Sequence, residues 1–115
     1  MNQDRYFNNP FFCDNNTIHI FGVCDGHGST GHLISQAISD LVPLKLSEEI
    51  KWWGPDVSTS EKVRSGILSA RLLLMELGID AWFSGTTLNL CLFKDNKIFC
   101  ANIGDSRTVL CTKSH

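Results

Sequence analysis

An α+β layer architecture, two helices laid on one face of mostly antiparallel strands, is what the sequence predicts. Three observations carry it. Short apolar runs with strand character occur near both ends of the chain, two stretches between them repeat apolar residues at helical spacing, and polar turns join the strand-like runs into hairpins. At 115 residues, this is one small domain, large enough for a core of its own but modest in the share of surface it buries.

The elements follow in order. Arg5 to Cys13 and Thr17 to Cys24 are two β-like runs joined by Asp14-Asn15-Asn16, a polar turn whose residues tolerate positive φ, and the pair reads as a hairpin. Cys24-Asp25-Gly26-His27-Gly28 comes at the end of the apolar run Ile18 to Val23, where it throws a carboxylate and an imidazole off the strand end. Two glycines around a histidine suit a backbone that turns sharply and lets something approach closely. Leu33, Ile34, Ala37, Ile38, Leu41 and Val42 then recur at helical spacing, with Pro43 marking the end of the pattern or a kink.

Lys51-Trp52-Trp53-Gly54-Pro55-Asp56 reads as a linker, its paired tryptophans as core or interhelix packing rather than a ligand platform. Ser58-Thr59-Ser60-Glu61 offers a capping box for a second helix with the apolar stripe Val63, Ile67, Ala70, Leu74 and Leu77. Gly78 is its natural C-terminal stop, and the run Leu72 to Met75 reads as core. Leu88, Leu90 and Leu92 alternate with Asn89, Cys91 and Phe93, and Asp95-Asn96 turns this strand into the next, Lys97 to Ile103. A third such run, Thr108 to Cys111, follows.

Composition is that of an ordinary globular protein, 43% hydrophobic and 19% charged with a net charge of -2. Without a basic stripe, nucleic acid is not expected as a partner. No apolar stretch approaches the ~20 residues of a membrane span, so no membrane association is expected. Five cysteines, odd in number and without a C-x-x-C pair, fit a reduced intracellular setting, cytoplasmic or nuclear.

Four motifs stand in one order: Asn2-Gln3-Asp4, Cys24-Asp25-Gly26-His27-Gly28, Ser84-Gly85-Thr86-Thr87 and Ala101-Asn102-Ile103-Gly104-Asp105-Ser106-Arg107. Each alone is weak; together, over Asn2 to about Leu110, they resemble the type-2C, metal-dependent (PPM) serine/threonine protein phosphatases. The resemblance implies a two-sheet β-sandwich flanked by helices, the αββα arrangement, of which this chain holds a part. The family's downstream Asp motifs, roughly D-G-x-[WF]-D and a D-N pair, do not occur; Asp80-Ala81-Trp82 is a look-alike in the wrong place. The expectation is therefore one partial domain over residues 1–115, the N-terminal portion, lacking the half that supplies the remaining metal ligands.

Hydrolysing a phosphate monoester calls for a nucleophile usable near neutral pH and positive charge over the phosphoryl oxygens, and two hard cations about 3.5–4 Å apart supply both. Mg²⁺ and Mn²⁺ prefer oxygen donors. By the resemblance Asp25 is the bridging ligand, Gly26 a ligand through its carbonyl, and Asp4 an acidic position near the metals that acts through a bound water. Gln3 stands where many members have Glu. Asp105 is either a ligand of a loosely bound third metal or a turn residue paired with Arg107. His27 fits the general acid that protonates the departing serine or threonine oxygen, in preference to a turn histidine bonded to backbone.

His32 and His19 read as structural, and Ser84, Gly85 and Thr86 as strand packing near the site. The Arg that grips substrate phosphate in typical members has no counterpart, and Arg5 is not its equivalent. The function implied is metal-dependent hydrolysis of phosphoserine and phosphothreonine in a phosphoprotein substrate, with the 115-residue chain inactive alone. A non-catalytic, phosphatase-like binding module is the alternative.

Overall fold

The structure, a computed structural model, describes residues 2–79 and 84–113; Asp80-Ala81-Trp82 lies outside them. β1 (Asp4–Asn9) pairs antiparallel with β2 (His19–His27), and after the two helices the chain returns to β2 through the two-residue β3 (Gly85–Thr86) and then β4 (Leu88–Lys94). β5 (Lys97–Ile103) closes the order β1-β2-β4-β5. All pairings are antiparallel, and α1 (Gly31–Trp52) and α2 (Thr59–Glu76) pack together and complete the α+β architecture.

Strand alternation builds the core. Ile20 and Cys24 of β2 and Leu88, Leu90 and Leu92 of β4 join Ile34, Ile38, Val42 and Leu46 of α1 and Val63, Ala70 and Leu74 of α2. Their burial is the main term holding sheet and helices together, at roughly 25 cal/mol per Å² of apolar surface removed from water. The opposite sheet face is less covered: Tyr6, Phe21, Val23 and Ile98 are exposed on it.

Local signals are met at the second helix and the second hairpin. The Ser58 side chain accepts from the Glu61 N–H at 3.2 Å, and Gly78 takes a φ of 73° just past α2. Asp95 and Asn96 both adopt positive φ between β4 and β5, the geometry of a type I′ turn.

Other expectations are corrected by packing. β1 ends at Asn9 rather than reaching Cys13, because Phe12 turns inward at 3% exposure on a 3₁₀ turn, Phe12–Asp14, with Cys13 and Asp14 at positive φ. β2 starts at His19 and continues through His27, so the carboxylate and imidazole lie on the strand and the turn begins at Gly28, φ 87°. Pro43 lies inside α1 and neither ends nor divides it; fully buried Val42 and Leu46 hold both sides of the proline against the core, offsetting its lost N–H bond.

The tryptophans are exposed, Trp52 at 81% and Trp53 at 47%. The buried stripe Ile34, Ile38, Val42, Leu46 runs on toward half-buried Ile50, and Trp52 falls off it. Of Leu72 to Met75, Leu74 is buried while Leu72 and Met75 lie open, since the α2 stripe admits one position per turn. Leu77, placed on that stripe, is also exposed. Thr108 to Cys111 forms no strand, with Val109 80% exposed, because no neighbouring strand pairs with it among the described residues.

Candidate metal and active site

The register of the first hairpin sets Asp4 directly opposite Asp25. Directly opposed residues point to the same face of a sheet, here the one away from the helix-packed core, and both are exposed. The Asp4 carboxyl holds that of Asp25 above the ordinary carboxylate range, first by a hydrogen bond, then by its like charge; slight desolvation and the charge of Asp105 add to the rise, and His27 opposes it. Asp25 thus senses the other two carboxylates of the predicted site. Asp4 and Asp25 line a cleft of about 510 Å³ with Asn2, Arg5, Tyr6, Val23, Cys24 and Ser106. A larger cleft, about 620 Å³ at the far end of α1, is lined by Glu48, Glu49, Lys51, Trp52 and Trp53; its glutamates are engaged by Lys45 and by the Trp53 indole.

His27 follows two residues after Asp25 on the same strand face and is exposed. A Cβ on Gly85, its partner across β3, would lie 2.9 Å from His27 Nε2, so the glycine leaves the imidazole its place. Gly26 is tight for a reason the sequence reading did not contain: a Cβ there would lie 2.4 Å from the Gly31 carbonyl oxygen, at the start of α1. The close approach that requires glycine at this position is therefore backbone on backbone. Behind Asp25, Cys24 is 1% exposed, and burial pushes its thiol up to about 12, which keeps it neutral.

Gln3 is a clasp. Its side-chain amide donates to the Gly28 carbonyl at 2.9 Å, and its own carbonyl accepts from Ser35 Oγ at 2.6 Å and from the Gly26 N–H at 3.2 Å. An ionised glutamate has no proton for the first bond. Arg5 donates to Gln36 Oε1 at 2.8 Å and to the Asn2 and Asp4 carbonyls at 2.9 and 2.8 Å, which commits it to structure. Ser84 Oγ accepts from the Thr30 N–H at 3.0 Å and so ties the third motif to the turn after His27.

Asp105 is exposed, next to Gly104 at φ 98°. The ion pairs among the described residues are Lys45–Glu48, Lys51–Asp14 and Lys94–Asp95, so the pairing with Arg107 does not form. His19 contacts Asn8 Oδ1 at 2.6 Å and lies beside the Phe21 and Phe93 rings, and His32 is half-buried on the first turn of α1; neither joins the cleft.

Two participants were missed in the sequence. Thr87 Oγ1 accepts from the Asp25 N–H at 3.0 Å and lies 2.6 Å from Ser106 Oγ, linking three motifs. Only the places of Thr87 in the third motif and Ser106 in the fourth hinted at this. Among the described residues no three His, Cys, Asp or Glu side chains converge to hold an ion. The donors that do meet, Asp4 and Asp25, are hard oxygens whose mutual repulsion a divalent cation would relieve, so they fit part of a Mg²⁺- or Mn²⁺-type site.

A sequence profile described as Protein phosphatase 2C matches residues 2–115. Probable protein phosphatase 2C 35 of Arabidopsis thaliana is 37% identical over 113 residues, covering 97% of this chain and 31% of the relative. Protein phosphatase 1L of Bos taurus is 32% identical over 100 residues, covering 82% and 27%. The PPM Ser-Thr phosphatase MsPP of Mycobacterium smegmatis, solved with cacodylate, superposes with a TM-score of 0.67 at 24% identity, over 92% of this chain and 40% of that one. The chain thus spans about a third or less of the first two relatives' length.

Proposed function

The chain belongs to the protein phosphatase 2C family, and from that premise we propose that it carries the Asp25 half of an active site that hydrolyses phosphoserine and phosphothreonine in proteins. One observation carries the reading: the β1–β2 register brings Asp4 and Asp25 together in an open cleft, with His27 on the same strand face. The family is metal-dependent, and bound Mg²⁺ or Mn²⁺ would supply an activated water near neutral pH and positive charge for the phosphoryl oxygens.

Asp25 would hold the metals through its carboxylate and Gly26 through its carbonyl, with Asp4 beside them acting through a bound water and Asp105 serving a further ion. A bound cation would favour the ionised form of Asp25, against the push from Asp4. His27, exposed on the same strand face as Asp25, would give a ring N–H proton to the departing serine or threonine oxygen. The donor set is partial, in keeping with a chain that spans 31% of a curated relative. Five cysteines, odd in number and without a C-x-x-C pair, support a cytoplasmic or nuclear setting. No helix among the described residues is long and apolar enough to cross a membrane.

The test is hydrolysis of a phosphothreonine peptide by the full-length protein with and without Mn²⁺. Turnover that needs the metal and falls at least ~100-fold in Asp25→Asn is expected, since even loss of an outer partner of a metal ligand costs up to about 100-fold. Metal-independent turnover, or an Asp25→Asn variant as active as the parent, would overturn the proposal.

A further inference from the structure

The ladder between β2 and its neighbour breaks at one place, and it breaks beside Asp25. Val23 opposes Asn89 and Gly26 opposes Thr86, a register that sets Thr87 against Asp25. The Thr87 N–H donates to the Asp25 carbonyl at 3.0 Å as a ladder residue should. The return bond is diverted: the Asp25 N–H goes to Thr87 Oγ1 at 3.0 Å, and the Thr87 carbonyl accepts instead from Thr86 Oγ1 at 2.9 Å.

A threonine hydroxyl has one proton and two lone pairs. Having accepted from Asp25, it still has its proton and a second lone pair for Ser106 Oγ, 2.6 Å away, and either hydroxyl can be the donor. The methyl of the same side chain meets the loop on its other side, where a Cβ on Gly104 would lie 2.7 Å from Thr87 Cγ2. Thr87 is 9% exposed, so water does not easily replace these bonds. One buried side chain therefore fixes the backbone that carries Asp25 and the loop that carries Asp105, though it reaches neither carboxylate.

We propose that Thr87 is a positioning residue, its hydroxyl holding the Asp25 backbone and the Asp105 loop in the one arrangement that sets Asp25 for the cations and Asp105 for the further ion beside them. This rests on the metal-site reading of Asp25 given above. Valine has nearly the shape of threonine without the hydroxyl, and serine keeps the hydroxyl without the methyl, so the pair separates bonding from bulk.

The experiment titrates the full-length protein and its Thr87→Val, Thr87→Ser and Ser106→Ala variants with Mn²⁺ alone by calorimetry, and follows exchange of the Asp25 amide proton by NMR. Thr87→Val is expected to weaken Mn²⁺ binding by roughly 10- to 100-fold, the usual cost of losing an outer partner of a metal ligand, and to speed exchange at Asp25. Thr87→Ser restores both. Ser106→Ala leaves the Asp25 amide protected and weakens Mn²⁺ binding less.

Parental affinity and protection in Thr87→Val would overturn the proposal, as would a Thr87→Ser variant as impaired as the valine. A lowered melting temperature with unchanged Mn²⁺ affinity would reduce Thr87 to a packing role and sink it too. Should Thr87→Val not fold, parental Mn²⁺ affinity in Ser106→Ala decides against it. If the parent itself binds no Mn²⁺, the metal reading falls and takes this inference with it, whereas parental binding untouched in every variant defeats this inference alone.

Discussion

In the middle of the sheet β2 and β4 are joined main chain to main chain, Ile20 opposite Leu92 and Gly22 opposite Leu90, with the helices closing one face. A few residues along, at Asp25 and Thr87, the neighbouring strands are joined through a side chain, and the face presents carboxylates to a cleft. In the first region apolar area does the holding, and any well-fitting hydrophobe serves. In the second each polar group depends on a particular partner, so single atoms matter. Stability and chemistry should therefore separate under mutation along the same strand.

The largest effect expected is on rate. His27→Gln should lower turnover of the full-length protein by ~10²- to 10⁴-fold, the usual worth of a positioned general acid, without lowering the melting temperature, because the ring is exposed. A variant that melts earlier yet keeps its rate would make His27 structural and erase the contrast. Leu90→Ala, at 0% exposure, tests the other region. It should cost about 2–5 kcal/mol in denaturant unfolding while leaving the Mn²⁺ affinity of the folded fraction alone.

A smaller effect ties the regions together through pH. The carboxyl of Asp25 is raised above its ordinary value mainly by Asp4. A raised acid favours folding while protonated and loses that advantage as pH climbs through its folded pKa. In EDTA, Asp25→Asn should therefore match the parent below the ordinary carboxylate range and melt higher than the parent at pH 7. Added Mn²⁺ should reverse the order, since a ligand of the folded state stabilises only the chain that binds it. A melting difference independent of pH would show that the two carboxylates do not sense each other. The smallest effect lies far from both regions: Ser58→Ala removes the N-cap bond to Glu61 and should cost ~1 kcal/mol by thermal unfolding, with Mn²⁺ affinity unchanged.

Much of this was legible in the sequence because its signals are local. The capping serine, Gly78 after the second helix and the Asp95-Asn96 turn all depend on neighbours a few residues away, and all stand where expected. Leu88, Leu90 and Leu92 alternate as a strand must. The motif residues Asp4, Asp25, His27 and Asp105 could be named and expected around one metal site by resemblance, though the register that sets Asp4 opposite Asp25 could not be read from it. What misled was apolarity without context: Trp52, Leu72 and Met75 are as hydrophobic as core residues, yet lie off the stripes that face the sheet.

By itself, then, the sequence determined the types of the two helices and of the paired strands, the turn of the second hairpin and the family to which the motifs point, because each is set by short-range geometry or residue chemistry. Only the tertiary structure decided that Asp4 meets Asp25, that Gly26 is glycine to let Gly31 pass, that Gln3 clasps the turn at Gly28, and that Thr87 holds Asp25 to Ser106. The physical reason is separation along the chain. Asp25 and Thr87 are 62 residues apart, and a hydrogen bond over that distance is specified by strand register and helix packing, which no local pattern encodes.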